Sequence, residues 1–194
     1  MENQVRISDS TTLIPVHRPG KREMLFFCLS GIIVSIPLTL FFSVFSSHLC
    51  FFLPILYSEI CSSTIFAPII EEFAKAYPLF YRHGETERSI FTLGFLTGLG
   101  FGITEFFYYV FGQGAPVILR LPGIFFHAAS ASIIAYGIAT KRPMRYYMIA
   151  VFLHLVNNIL TFSEALWLVG GSADMIITYY LSWHLYKKTS ERFY

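Results

Sequence analysis

The chain has 194 residues, of which 55% are hydrophobic and 13% charged, with a formal net charge of +2 and a mean hydropathy of +0.58. Soluble domains carry about 25% charged residues, so the composition excludes an ordinary soluble globule and predicts an all-α polytopic membrane protein. The small net charge and the lack of a basic run interleaved with aromatics argue against a nucleic-acid partner.

Residues 1–24 are polar and read as a cytoplasmic tail ahead of a single transmembrane helical domain over 25–187, with 188–194 as a second cytoplasmic tail. The first apolar run, 25–46, exceeds a signal-peptide core of about 7–15 residues and reads as a retained span. Cys28 falls inside it as a small core hydrophobe. Residues 49–57, "LCFFLPILY", are too short to cross and read as re-entrant or interfacial. Cys50 and Cys61 share this predicted loop, where one bridge is possible, although three cysteines make a poor disulfide framework.

Further windows of spanning length fall at about 62–81, 89–111, 118–139, 146–169 and 173–187, which makes about six transmembrane helices. Arg6, Arg18, Lys21 and Arg22, then Arg82 and Arg88, then Lys141, Arg142 and Arg145, then Lys187, Lys188 and Arg192 occupy alternate connections and the tails. The predicted loops at 47–61, 112–117 and 170–172 carry no Lys or Arg, so both termini are expected to be cytoplasmic and the cell membrane is the expected location. Arg120 is near enough to the outer surface to snorkel. In the third span, Gly94, Gly98 and Gly102 repeat every four residues and predict close helix packing.

The second span, "IFAPIIEEFAKAYPLFY", places Glu71, Glu72 and Lys75 where hydrocarbon is expected. One charge at a helix centre costs about 2.5–3.5 kcal/mol on insertion scales, so intramembrane carboxylates mark function by default. Glu105, His127, His154, Asn157 and Asn158 are the other polar groups inside predicted spans. Counted at about 1.5 Å per residue, Glu71 lies roughly 9–14 Å below the outer surface and Glu105 about 9 Å. The same rise puts His127 at about 13 Å, Asn158 at about 15 Å and His154 near 20 Å. Spans of alternating direction thus bring their polar residues to one layer in the outer half of the membrane. Glu71 and Lys75, at i and i+4, are expected to pair, with Glu72 turned about 100° away toward another helix.

These residues resemble a known set. "EEFAK" matches E-E-x-x-K, "FGITE" matches F-x-x-x-E, "HAASASIIAYG" resembles a His-Ala motif followed by small residues, and "HLVNN" fits H-x-x-x-N with His154 and Asn158 at its ends. In this order, over about 65–160, they resemble the PrsW family of intramembrane proteases, relatives of the CAAX-processing and bacteriocin-processing (Abi) proteases. The resemblance implies a helical enzyme that cleaves a single-span membrane protein or peptide; in bacteria the family's known role is the first cut of a membrane-anchored anti-sigma factor. It implies that Glu71 or Glu72 activates water with Glu105 as partner, while His127, His154 and Asn158 shape the site and stabilise the oxyanion. Lys75 would support the carboxylates. The CAAX relatives carry His where this chain has Glu105, which favours the PrsW branch.

Amide hydrolysis needs a base, an oxyanion donor and an acid, and these residue types supply all three. No G-x-S-x-G surrounds Ser130 or Ser132, and H-E-x-x-H is absent. No cofactor is fixed by the sequence, and Glu71, Glu105, His127 and His154 have the chemistry to hold a divalent metal such as Zn. Two other classes stay open: a proton-coupled or cation transporter, and a non-enzymatic scaffold whose polar groups only join helices.

Overall fold

The structure, a computed structural model, describes residues 4–6, 13–15, 18–81 and 86–191. Readings that fall on 1–3, 7–12, 16–17, 82–85 and 192–194, among them Arg82 and Arg192 and most of the loop "RHGETER", lie outside the described residues. Among the described residues the chain is helical apart from a tail pair, β1 (Gln4–Arg6) antiparallel to β2 (Leu13–Pro15). Six helical rods follow: α1 (Lys21–Cys50), α2 (55–81), α3 (Glu87–Gly112), α4 (Val117–Ala139), α5 (Pro143–Leu160) and α6 (164–188). Of these, α1, α3 and α4 are long and apolar enough to cross a membrane by length and composition. Their outward faces present large apolar side chains, among them Ile33, Leu40, Phe41, Phe45, Phe107 and Ile118.

Two expectations change. Residues 51–54 form the turn between α1 and α2, and α2 begins at Ile55, with no separate interfacial segment over 49–57. Pro54 caps that start, its carbonyl accepting from Ser58 N at 2.9 Å. The fifth helix ends at Leu160 and turns at 161–163, well before the expected 169. The apolar pattern runs on through Phe162 and hides the turn, while Gly170 and Gly171, expected in a loop, lie inside α6.

Four stretches widen into π-helix: Gly31–Ser35, Ile60–Phe66, Tyr108–Gly112 and Trp167–Gly171. The first two stand just ahead of Pro37 and Pro68, each of which removes the N–H owed to the residue four back.

α4 is the central rod. Residues 126–135, "FHAASASIIA", are buried all round, and their small side chains let neighbours approach from several sides. On α3 a Cβ at Gly94 would strike Ala135 Cβ, one at Gly98 would strike the His127 carbonyl, and one at Gly102 would come within 2.8 Å of Ile124 Cα. On another face of α3, a Cβ at Gly100 would strike the Cys28 carbonyl of α1. The glycine stripe therefore acts as predicted, and α3 is clasped between α1 and α4. Apolar clusters, Phe27, Leu79, Ile90, Leu93 and Ala135 in one and Phe91, Ile133, Leu153 and Leu185 in another, fill one end of the bundle. At the opposite end Cys50 and Cys61 form a disulfide with Cα atoms 5.8 Å apart, tying α1 to the π turn of α2.

Candidate active site

Along α2, Glu72 and Lys75 are three residues apart and share a face, where both side chains are fully buried. Lys75 Nζ donates to Glu72 Oε1 at 2.6 Å, to His127 Nδ1 at 2.9 Å and to Ser130 Oγ at 3.2 Å. An ammonium has three N–H donors, so this cage satisfies each of them. Phe101 closes it, with its ring centroid 5.1 Å from Nζ. The expected Glu71–Lys75 pair is thus replaced by Glu72–Lys75. Both spacings put the residues on one helix face, and the contacts made by Glu72 to α5 decide between them.

Those contacts fix the imidazoles. His154 Nδ1 lies 2.8 Å from Glu72 Oε1, and a carboxylate can only accept, so Nδ1 carries the proton and Nε2 keeps its lone pair. Nε2 faces Glu71 Oε2 at 3.7 Å. His127 is set the other way: Nδ1 accepts from Lys75, which leaves Nε2–H to donate to Glu105 Oε2. The tautomers are assigned from these partners. The two rings stand 5.3 Å apart, and Phe126 meets both edge-on at 5.7 and 5.6 Å.

One mode of exposure separates the three carboxylates. Glu72 is sealed, whereas the Glu71 side chain is 15% and the Glu105 side chain 24% exposed. A cavity of about 230 Å³ is lined by Glu105, His127, His154, Asn157 and Asn158, and an adjoining one of about 260 Å³ by Glu71, Glu105, His154 and Asn158. Ser43, Ser46, Ser47, Ser62 and Ser63 give the second a polar wall toward the disulfide end. Ser62, Ser63, Tyr109 and Trp167, all in π turns, line these spaces, as such turns often do at functional sites.

The structure therefore gathers Glu71, Glu105, His127, His154 and Asn158 on two adjoining cavities that share Glu105, His154 and Asn158, with Glu72 and Lys75 directly behind. Asn158 Nδ2 donates to the Ser63 carbonyl at 3.1 Å, which uses one of its two N–H groups. Asn157 also reaches the cavity, and its amide is held by Asp174 Oδ2 at 3.3 Å. Asp174, Phe101, Phe126 and Tyr109 were missed by sequence reasoning, and Ser130, weighed there only as a nucleophile, instead accepts from Lys75. Asp174 sits at the start of the last predicted span. The guanidinium carbon of Arg120 lies 3.7 Å from the centroid of the Tyr109 ring, at the cavity wall.

The donor set fits a divalent metal. Ligand atoms of Glu71, His127 and His154 all lie within 4.8 Å of one another, and the buried Glu71 Oε2 has no hydrogen-bond partner. His154 is oriented as metal-binding histidines are, its far nitrogen donating to a carboxylate. Of the four residues expected for a metal, Glu105 falls outside this group and pairs with His127 instead. Without metal, Glu71 Oε2 and His154 Nε2 are two acceptors facing one space, an arrangement that suits a water able to donate to both.

A family model described as PrsW family intramembrane metalloprotease matches residues 19–185. No curated protein and no solved structure matches the chain. The match agrees with the first resemblance read from the motifs and lends no support to the CAAX and Abi relationship.

Proposed function

The chain belongs to the PrsW family of intramembrane metalloproteases, and from that premise we propose that it hydrolyses a peptide bond in a single-span membrane protein, with Glu71 activating the water. It is a membrane protein of a protease family, with three helices apolar enough to span. The finer reading has all six rods crossing the cell membrane, both termini in the cytoplasm, and the cavity in the outer half of the bilayer. The alternation of Lys and Arg along the chain supports that orientation.

One observation carries the mechanism. Glu71 lines the cavity, and its buried Oε2, which has no hydrogen-bond partner, lies 3.7 Å from the lone pair of His154. A water seated there donates one proton to each acceptor. As its oxygen attacks the scissile carbonyl, Glu71 takes a proton and His154 Nε2 holds the other. The C–N bond then breaks and the proton on Glu71 passes to the leaving amine. The oxyanion is met by His127 Nε2–H, turned from Glu105, and by the second N–H of Asn158. Glu72 and Lys75 take no part in bond making; they hold His154 and His127 in opposite tautomers. A divalent metal held by Glu71, His154 and His127 would make the bound water more acidic and polarise the carbonyl. To bind the metal through Nε2, His127 would have to carry its proton on Nδ1, where it could no longer accept from Lys75.

The test compares cells carrying the parent chain with cells carrying Glu71→Gln, following new N-termini of membrane-protein fragments by mass spectrometry. Fragments present only with the parent are expected. The same fragments in both strains would falsify the glutamate mechanism.

A further inference from the structure

A third cavity, of about 290 Å³ and lined in part by Glu59, Ser63 and Thr64, adjoins the two described above, and the three have only Tyr109, Arg120 and Asn158 in common. We infer that Arg120 is a specificity-determining residue that receives a carboxylate of the bound peptide, close to the bond to be cut. The inference deepens the proteolytic reading above and rests on it.

Arg120 sits in the first turn of α4, at the positive end of the helix dipole, where a cation is disfavoured. It also breaks the pattern that leaves the other loops of this end without Lys or Arg. Neither helix stability nor orientation explains it. Snorkelling to lipid headgroups would, but the guanidinium lies over the Tyr109 ring and turns along the cavity wall. Tyr109 follows Glu105 by four residues on α3, so the arginine rests about one turn above the carboxylate that holds His127.

Among the described residues no carboxylate forms an ion pair with it, although Glu71, Glu105 and Glu59 line the same cavities; Glu105 pairs with His127 instead. The guanidinium rests against the tyrosine ring, and its planar fork of N–H donors suits a planar, bidentate acceptor. The charge balance points the same way. Glu71 and Glu105 face the cavity while Lys75 is sealed behind it, so the cavity alone would repel an anionic peptide. Arg120 is the cation placed to reverse that. A carboxylate could come from an Asp or Glu side chain or from a free C-terminus, and both have the required fork.

The experiment reads binding and not cleavage, so it is independent of turnover. The full chain carrying Glu71→Gln is placed in nanodiscs of zwitterionic lipid and titrated with fluorescent peptides. Each peptide has a Leu/Ala span followed by Asp, Asn or Lys residues and an amidated end; a fourth keeps Asn and a free carboxylate. We expect the Asp peptide, the free-carboxylate peptide or both to bind about tenfold more tightly than the amidated Asn twin. Adding Arg120→Gln should bring that ratio to about one, Arg120→Glu should favour Lys, and Arg120→Lys should keep part of the preference. Monodisperse elution and an unchanged melting temperature control for folding. Equal affinities in the Glu71→Gln chain, no binding of any peptide, or a preference that survives Arg120→Gln overturns the inference. So does an Arg120→Gln effect confined to retention of anionic phospholipid, which would make the residue a headgroup ligand. The proteolytic reading stands or falls separately, on the fragments that depend on Glu71 in cells.

Discussion

Lys75 shows how the candidate site is held at the level of single residues. Its ammonium is fully buried, and all three of its donors are used by Glu72, His127 and Ser130. Removing one partner of such a pair leaves an uncompensated charge, typically at a cost of about 3–5 kcal/mol. Lys75→Met is therefore expected to destabilise the protein by about that much, read from thermal unfolding in detergent, and Glu72→Gln added to it should recover most of the loss. Glu72→Gln alone frees the His154 ring, and activity should fall by about 10–100-fold with a smaller effect on KM than on kcat. Much of this chemistry was legible, because Glu71, Glu72, Glu105, His127 and His154 are costly wherever hydrocarbon surrounds them. Which glutamate met the lysine was not legible. A single helix permits both pairs, and the choice belongs to His154, far along the chain.

At the level of elements, close approach of α3 and α4 decides where His127 stands. A Cβ at Gly98 would run into the His127 carbonyl, and backbone cannot step aside as a flexible side chain can. Gly98→Val should cost about 1–3 kcal/mol or more and lower activity beyond what lost folded protein explains, measured on the monodisperse fraction. Gly20→Ala, with nothing within 4 Å of the added carbon, should stay within about 0.5 kcal/mol of the parent. The ends of α3 and α4 lie within a few residues of the hydropathy reading, since Gly112 to Pro116 break the pattern. The turn after Leu160 escaped because Phe162 keeps the run apolar. The π turns also left no periodic signature, though Pro37 and Pro68 explain two of them once the helices are seen.

Across the whole molecule, the disulfide and the cavity share one end. Cys50 and Cys61 clamp the tip of α1 to the π turn whose Ser62 and Ser63 line the polar wall. Replacing both with serine should lower stability by about 2–4 kcal/mol. A membrane-impermeant reductant added outside intact cells should lower the melting temperature in the same direction, whereas protection from it would contradict the proposed orientation. The sequence singled out this pair, because the two cysteines share a loop, but not whether they bridge, because it says nothing of their separation in space.

The buried Glu72–Lys75 cage has one more consequence, for how the chain is made. The three rods apolar enough to cross on their own include neither α2 nor α5, and these bring Glu71, Glu72, Lys75 and His154. In the proposed six-span arrangement, a helix bearing those groups leaves the insertion machinery as a poor lipid solute until His127 and Ser130 arrive on a later segment. Biogenesis should therefore be a collective event, in which the reactive helices are retained by their neighbours and a truncated nascent chain ending before α4 slips back toward water.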